Sequence, residues 1–251
     1  MEAVKNIKPN IMRVNTTEDL AICAFEMFIS SADKAIGAKG CFNVAISGGH
    51  TPGRFFTLLA ERSESCSIQW DKIHIFWVDE RCVPPDADAS NYGLAASTFL
   101  EKVSIPFKNV HRVSGENIDY AEAAKEYEDV IRSVFKIKPG QMPCFDLIVL
   151  GMGADGHIGS LFPNSYALFD TEDLASAVYM MDGEYSRITL THPVLCRAEH
   201  LLILVSGSEK ASILKKVLRS EPDEIKYPVH TLWPILHKVT WVVESQAGKY
   251  L

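Results

Sequence analysis

Short apolar runs and longer segments of helical periodicity alternate along the whole chain. The apolar runs have the length of buried strands. They predict strands at Ile11–Val14, Phe42–Ile46, Ile73–Val78, Phe145–Leu150, Ile188–Leu190, Leu201–Val205 and Val239–Val243. This alternation favours an α/β fold with a mostly parallel sheet that helices cover on both faces.

Capping residues mark where the predicted helices begin. Thr16-x-x-Asp19 is a capping-box pattern, and the helix after it is expected to end at Gly37 and Gly40. Further helices are predicted after Thr51-Pro52, from Asp119 to about Phe135, and from Ser208. No repeat or linker interrupts the pattern, so we expect a single domain over residues 1–251.

The composition excludes several classes of protein. Hydrophobic residues make up 47% of the chain and charged residues 23%, which is typical of a globular protein. The first residues, MEAVKNIKPNIM, lack the features of a secretory signal, and no apolar stretch reaches the roughly 18 residues of a membrane span. The six cysteines form no C-x-x-C pair, so we expect reduced thiols and a cytoplasmic location.

The formal net charge is −7, and the sequence contains no basic run. Nucleic acid binding depends on clustered cations, so the composition argues against a nucleic acid partner. An acidic protein can still bind a phosphate where it concentrates a few cations at one place. Three loops that follow predicted strands offer such a place, because ligands of parallel α/β sheets lie at the carboxyl ends of the strands.

The first loop, Ser47-Gly-Gly-His-Thr51, directly follows the strand Phe42–Ile46. Gly48 and Gly49 allow the backbone to approach a ligand and to point N–H groups at it. Thr51 is expected to cap the next helix, whose N-terminus then faces the loop with its partial positive charge. The loop is either a phosphate cradle or a plain strand-to-helix turn.

The second loop begins with Asp79-Glu80-Arg81 and continues as a long polar segment to Asn91. The planar guanidinium of Arg81 suits the oxygens of a phosphate or carboxylate. Its alternative role is a surface ion pair with one of its acidic neighbours. Asp79 is a candidate substrate-binding residue beside it.

The third loop, Gly151-Met-Gly-Ala-Asp-Gly-His-Ile-Gly-Ser160, follows the strand Phe145–Leu150. The loop contains His157, and histidine is the residue type best suited to proton transfer near neutrality. Asp155, two residues earlier, is the catalytic candidate that would orient the ring, and Asp79 is left open as the alternative. Gly153 is a candidate substrate contact in the same turn. The alternative for His157 is a hydrogen-bonded structural histidine.

Two further cations are candidates for the same site. Arg187 precedes the strand Ile188–Leu190, and Lys210 lies in the first turn of the helix that begins at Ser208. A lysine there opposes the helix dipole, which a phosphate ligand explains more easily than helix stabilisation does. The alternative for each is a solvated surface cation. The other histidines form no H-x-H or H-E-x-x-H arrangement, so we predict no metal and no cofactor.

Five strings resemble the successive motifs of 6-phosphogluconolactonases, in that family's order over about residues 44 to 211: AISGGHTP, VDERCVPPDADASNYG, LGMGADGHIGSLFP, RITLTHP and VSGSEKA. The resemblance implies a Rossmann-like sheet shared with glucosamine-6-phosphate deaminases and ribose-5-phosphate isomerases. It also implies metal-free hydrolysis of 6-phospho-D-glucono-1,5-lactone in the pentose phosphate pathway. On these motifs the phosphate loop is Ser47, Gly48, Gly49 and Thr51, the cations are Arg81, Arg187 and Lys210, and the base is His157.

The chain departs from the family's pattern at two places. His192 stands where the family often has a small or apolar residue, and Glu244 stands near a position where the family often has Asp. Neither change touches the expected base, but the substrate contacts near His192 stay open. No G-x-S-x-G elbow supports a covalent serine route, so His157 is expected to activate water and return the proton to the departing ring oxygen.

Two other functions stay open. The first is a glucosamine-6-phosphate deaminase or isomerase on the same fold. Related deaminases typically have a Glu five positions after the corresponding histidine, where this chain has Phe162. A non-catalytic sugar-phosphate sensor would keep the phosphate loop and could lose the histidine. The expected partner is a phosphorylated sugar lactone, and the chain is expected to be a monomer or a homodimer.

Overall fold

The computed structural model describes residues 8–181 and 184–251. For His50 it describes the backbone but not the side chain. Residues 1–7, on which the expectation about a secretory signal partly depends, lie outside the described residues. The strands in chain order are β1 Asn10–Val14, β2 Phe42–Ile46, β3 Ile73–Trp77, β4 Asp79–Arg81, β5 Val110–His111, β6 Leu147–Gly151, β7 Ala175–Val178, β8 Arg187–Leu190, β9 Leu201–Val205 and β10 Val239–Glu244.

Seven of these strands form one sheet in the order β1-β10-β9-β6-β2-β3-β5, and all of its neighbouring pairs are parallel. The α-helices are α1 Thr17–Lys39, α2 His50–Glu61, α3 Asn91–Thr98, α4 Tyr120–Phe135, α5 His192–Arg197 and α6 Ala211–Arg219. Every residue of β2 and β9 is buried. Successive side chains of a strand point to opposite faces, so both faces of the sheet are covered, which confirms the predicted fold class.

Aromatic packing attaches α1 and α2 to the sheet. The ring of Phe28 in α1 lies edge-on to Phe42 of β2 at 5.3 Å and to Phe55 of α2 at 5.9 Å between centroids. All three side chains are fully buried. Large aromatic groups bury much apolar area and prefer such edge-to-face contacts, so this cluster holds α2 against the strand that precedes it.

The remaining strands form a separate antiparallel sheet in the order β4-β8-β7. The sequence predicted a polar loop at Asp79–Arg81, and this was wrong because these residues pair with β8. The predicted strand Ile188–Leu190 is β8, but it lies outside the main sheet. Charged side chains on a short strand give no hydrophobic alternation, and the pairing therefore left no pattern in the sequence.

The predicted helix ends are correct in part. Thr16 and Asp19 form the expected capping box at α1, and Gly40 ends that helix at a φ of 81°. Gly37 lies inside α1, so the prediction that it helps to end the helix was wrong. The Asp119 carboxylate accepts a hydrogen bond from the Glu122 amide and caps α4, as the sequence predicted.

The start of α2 differs from the prediction. The helix begins at His50 after Gly49, and no side chain caps it. Gly49 has a φ of 99°, a conformation that glycine adopts easily, and the chain therefore turns into the helix before Thr51. The Thr51 hydroxyl instead lies 3.0 Å from that of Ser206, the residue that directly follows β9.

The strand order places a topological switch point between β2 and β6. From β2 the chain continues outward through β3 to β5, and it then returns to the other side of β2 with β6 and continues to β9 and β10. Loops that leave neighbouring strands in opposite directions open a crevice at their carboxyl ends, where ligands bind in open α/β sheets. Within residues 8–181 and 184–251, no helix is long and apolar enough to span a membrane.

Candidate functional site

A cavity of about 190 Å³ lies at this switch point. Residues from the ends of β2 and β6, from the small sheet and from the turn before α6 line it. The residues singled out from the sequence that line the cavity are Ser47, Gly48, Gly49, Thr51, Asp79, Arg81, Gly153, His157, Arg187 and Lys210. Asp155 does not line it, but contacts His157 directly.

The small sheet places two arginines side by side. Arg81 of β4 and Arg187 of β8 are directly opposite each other in the antiparallel register. Burial lowers the pKa of Arg187, and the charge of Arg81 lowers it further. Like charges opposite each other on a sheet are destabilising, so an anion between them would relieve the repulsion.

Hydrogen bonds hold the Arg81 guanidinium in place. Its Nη1 donates to the Ala89 carbonyl at 2.7 Å and to Asn91 Oδ1 at 3.1 Å. Within the described part of the chain, neither Arg81 nor Arg187 forms a salt bridge with a carboxylate. The expected alternative for Arg81, an ion pair with an acidic neighbour, is therefore absent there.

Lys210 adds a third cation. It ends the 3₁₀ turn Ser208–Lys210 and directly precedes α6. Burial lowers the pKa of Lys210, since desolvation disfavours its charged form. Three positive side chains thus border one small cavity in a protein whose net charge is −7.

The loop after β2 supplies polar groups to the same cavity. The Ser47 hydroxyl is buried and has no hydrogen-bond partner within residues 8–181 and 184–251. Buried hydroxyl groups are normally paired, and the position of this one on the cavity wall favours a ligand as its partner.

Position 48 must be a glycine because the Asn91 side chain lies where a Cβ would be. A Cβ at position 48 would lie 1.9 Å from Asn91 Oδ1 and 2.8 Å from Asn91 Cβ. The Asn91 side chain is buried and cannot simply turn aside, because its Nδ2 donates to the Asp79 carbonyl at 2.8 Å and its Oδ1 accepts from Arg81.

We expect Gly48→Ala to weaken anion binding at this cavity. The new methyl group must displace the Asn91 side chain and break its two hydrogen bonds, at a cost of about 1–3 kcal/mol. Steady-state kinetics should show KM for a phosphorylated substrate raised roughly five- to a hundredfold. Gly37→Ala is the matched control, because a Cβ there meets nothing within 4 Å and should leave KM unchanged.

The turn after β6 holds His157 in a defined orientation. His157 Nδ1 lies 2.6 Å from Asp155 Oδ1, and the His157 amide donates to the same oxygen at 3.1 Å. Burial raises the pKa of Asp155, but the hydrogen bond and charge of His157 outweigh it and hold the pKa below its ordinary value. Asp155, and not Asp79, is therefore the carboxylate that contacts the ring.

Gly153 and Phe162 define the space around the imidazole. A Cβ on Gly153 would lie 2.2 Å from the ring atoms of His157, so only glycine fits there without moving the ring. The Phe162 ring packs against the imidazole with 4.6 Å between centroids. With Nδ1 directed at Asp155, the histidine has Nε2 left for chemistry.

The two acidic residues of β4 have other partners. Asp79 Oδ2 accepts a hydrogen bond from the buried Ser160 hydroxyl at 2.7 Å, and this contact ties β4 to the histidine turn. Glu80 is buried and does not line the cavity.

Sequence reasoning missed five residues that line the cavity: Pro52, Asn91, Gly151, Met152 and Gly159. Asn91 is the important omission, and it lies in the string VDERCVPPDADASNYG that carries the family resemblance. His192 is not a cavity residue. The Glu244 carboxylate accepts hydrogen bonds from the backbone of Gly207 and Gln246, next to the turn that carries Lys210. Across the described ranges, no group of three or more His, Cys, Asp or Glu could hold a metal ion.

Comparison with known proteins gives the family. The profile of the glucosamine-6-phosphate isomerases/6-phosphogluconolactonase family matches residues 15–241. A 6-phosphogluconolactonase of Nostoc sp. is 35% identical over 91% of this chain and 92% of its own, and one of Synechocystis sp. is 37% identical over 87% and 88%. The solved structure of 6-phosphogluconolactonase from Trypanosoma cruzi superposes with a TM-score of 0.85 at 26% identity and covers 97% of both chains. The chain is therefore an enzyme of the glucosamine-6-phosphate isomerase/6-phosphogluconolactonase family.

Proposed function

We propose that this protein hydrolyses 6-phospho-D-glucono-1,5-lactone to 6-phospho-D-gluconate, a step of the oxidative pentose phosphate pathway in the cytoplasm. One observation carries the proposal: a single cavity is bordered by three cations and by a histidine that a carboxylate orients. The cations suit the phosphate of the substrate, and the histidine suits the chemistry of its lactone carbonyl. The names of the relatives support the same activity.

The phosphate is bound by the cations and by the loop after β2. The protein has a net charge of −7, so it needs local positive charge to attract an anion. That charge comes from three cations that line the cavity: Arg81, Arg187 and Lys210. The Ser47 hydroxyl and the backbone at Gly48 and Gly49 add uncharged donors, and the N-terminus of α2 adds a partial positive charge. Bidentate contacts between an arginine and a phosphate are strong and geometrically specific.

The hydrolytic step uses His157 as a general base. Its Nδ1–H donates to Asp155, so the Nε2 lone pair takes a proton from water while the water oxygen bonds to C1 of the lactone. The bond between C1 and the ring oxygen then breaks, and the imidazolium returns its proton to that oxygen. The product acid loses its own proton to solvent as a carboxylate. The negatively charged Asp155 stabilises the imidazolium between the two transfers.

The family also contains glucosamine-6-phosphate isomerases, so amino-sugar phosphate chemistry is the second candidate. The environment of the histidine favours the lactone. The Phe162 ring lies against the imidazole and cannot exchange a proton with it. Asp155 holds the imidazole through Nδ1, and Asp79 bonds to Ser160 rather than to the ring, so among the described residues no second carboxylate contacts His157. A lactone already presents an electrophilic carbonyl and needs a single base.

A comparison of two substrates separates these functions. We expect the protein to accelerate consumption of freshly generated phosphogluconolactone well above its spontaneous hydrolysis, measured in the same buffer without protein. We expect no ammonia from glucosamine-6-phosphate. Ammonia release without acceleration of lactone hydrolysis would contradict the proposal, and binding of both phosphosugars without turnover of either would indicate a sensor.

A further inference from the structure

Glu80 is a buried carboxylate that the proposed mechanism does not use. It lies in β4 between two cavity residues, and only 2% of its surface is exposed. Side chains of a strand alternate between its faces, so Glu80 points away from the cavity that Asp79 and Arg81 line. A buried charge is costly unless hydrogen bonds compensate it, and this residue therefore has a reason to be there.

Four donors satisfy the Glu80 carboxylate. Its Oε1 accepts from the backbone amides of Arg81 and Asn91, each at 2.7 Å. Its Oε2 accepts from the Tyr92 amide at 2.7 Å and from the Ser90 hydroxyl at 3.1 Å. Burial raises the pKa of Glu80, while these backbone amides oppose that rise. An amide side chain has one acceptor oxygen and would direct its own N–H groups at two of the donors.

These contacts join the two segments that hold the Arg81 guanidinium. Three of the four donors belong to the start of α3, at Ser90, Asn91 and Tyr92. The same turn provides both acceptors of the guanidinium, the Ala89 carbonyl and Asn91 Oδ1. The side chain of Asn91 in turn lies against Gly48 in the loop after β2.

We propose that Glu80 is a positioning residue for phosphate binding. It holds the start of α3 against β4, and it thereby sets the direction of the Arg81 guanidinium and the position of Asn91 against the Gly48 loop. Glu80 itself touches neither the substrate nor the reacting atoms. The inference rests on the proposed function for the identity of the anion, a sugar phosphate.

The test compares a phosphorylated and an unphosphorylated lactone. We expect Glu80→Gln to raise KM for phosphogluconolactone on the order of tenfold with kcat changed much less, because misdirected arginine donors weaken ground-state and transition-state binding alike. Turnover of glucono-δ-lactone should not fall. The ratio of the two kcat/KM values does not depend on the folded fraction, so partial unfolding cannot imitate the result. Glu101→Gln, at an exposed glutamate, is the matched control.

A double-mutant cycle tests whether Glu80 acts through Arg81. We expect Glu80→Gln to add little to the effect of Arg81→Ala, since the positioned group is already gone. The proposal would be overturned if the two substitutions had fully additive effects on the free energy given by kcat/KM for phosphogluconolactone. It would also be overturned if Glu80→Gln lowered kcat/KM equally for both lactones. If Glu80→Gln does not fold, Glu80→Asp retains the charge but shortens the reach, and it should lower the same ratio.

Calorimetric titration with inorganic phosphate measures the affinity of the site for phosphate, and it does so without catalysis. Weaker phosphate binding by Glu80→Gln, in a protein that does not hydrolyse the lactone, would contradict the proposed function and leave the role of Glu80 intact. Unchanged phosphate binding in the folded variant would contradict that role, whatever the activity of the wild-type protein.

Discussion

Replacing His157 with alanine is expected to lower kcat for phosphogluconolactone by about 10²- to 10⁴-fold in a protein that still folds. The loss follows because His157 is the one histidine among the described residues that line the cavity, and a carboxylate orients its ring. His157 is partly exposed at the cavity, so its truncation removes little packing. The measurement is initial-rate kinetics on freshly generated lactone, with the spontaneous rate subtracted.

Two further variants make the result specific. Asp155→Asn keeps the size of the side chain but removes the charge that favours the imidazolium, and we expect a smaller loss of kcat than for His157→Ala. His237→Ala is the matched control, because His237 is exposed and does not line the cavity that contains His157. A folded His157→Ala protein with near wild-type kcat would remove the histidine from the mechanism.

Replacing Arg187 with alanine is expected to raise KM for phosphogluconolactone by roughly ten- to a hundredfold, with a much smaller change in kcat. A charge-assisted hydrogen bond contributes about 1.5–3 kcal/mol. In the proposed substrate the phosphate is on C6, remote from the C1 carbonyl, so its loss should affect binding more than the reaction step. Removing Arg187 also leaves Arg81 without its neighbouring charge, which relieves a repulsion and offsets a little of the loss. Steady-state kinetics give KM and kcat separately.

The unphosphorylated lactone again serves as the internal comparison. Arg187→Ala should leave kcat/KM for glucono-δ-lactone unchanged. The ratio of kcat/KM for the phosphorylated lactone to that for the unphosphorylated one should therefore fall by as much as kcat/KM for phosphogluconolactone does. Arg13→Ala is the control for lost positive charge, since Arg13 is exposed on the edge strand β1. Equal kcat/KM losses on both lactones would show that Arg187 does not bind the phosphate.

Much of the fold could be predicted because its signals are local. Apolar runs identified the strands of the main sheet except for β5, and the Thr16 and Asp119 caps marked two helix starts. The elements that were missed carry weak local signals. The strand β4 consists of three charged residues, and α3 begins inside a polar segment with no apolar periodicity.

The candidate site divides in the same way. The glycine-rich loops and their charged residues were visible in the sequence, since each loop directly follows a strand and the carboxyl ends of parallel strands meet. The sequence favoured Asp155 as the partner of His157 but left Asp79 open, because residue type alone does not show which carboxylate reaches the ring. The structure resolves this choice, since Asp155 contacts the imidazole and Asp79 contacts Ser160.

The sequence by itself determined the fold class, the loops that carry polar chemistry and the types of side chain that they present. Periodicity, glycine and charge are properties of neighbouring residues, so they need no knowledge of distant pairing. The tertiary structure alone decided that Arg81 lies opposite Arg187 and that Asn91 rests on Gly48. It also decided that the Glu80 carboxylate accepts hydrogen bonds from the backbone at the start of α3. Those contacts join segments that are far apart along the chain or separated by an irregular loop. Which residues meet depends on how the segments pack in three dimensions, and no pattern of neighbouring residues in the sequence indicates this.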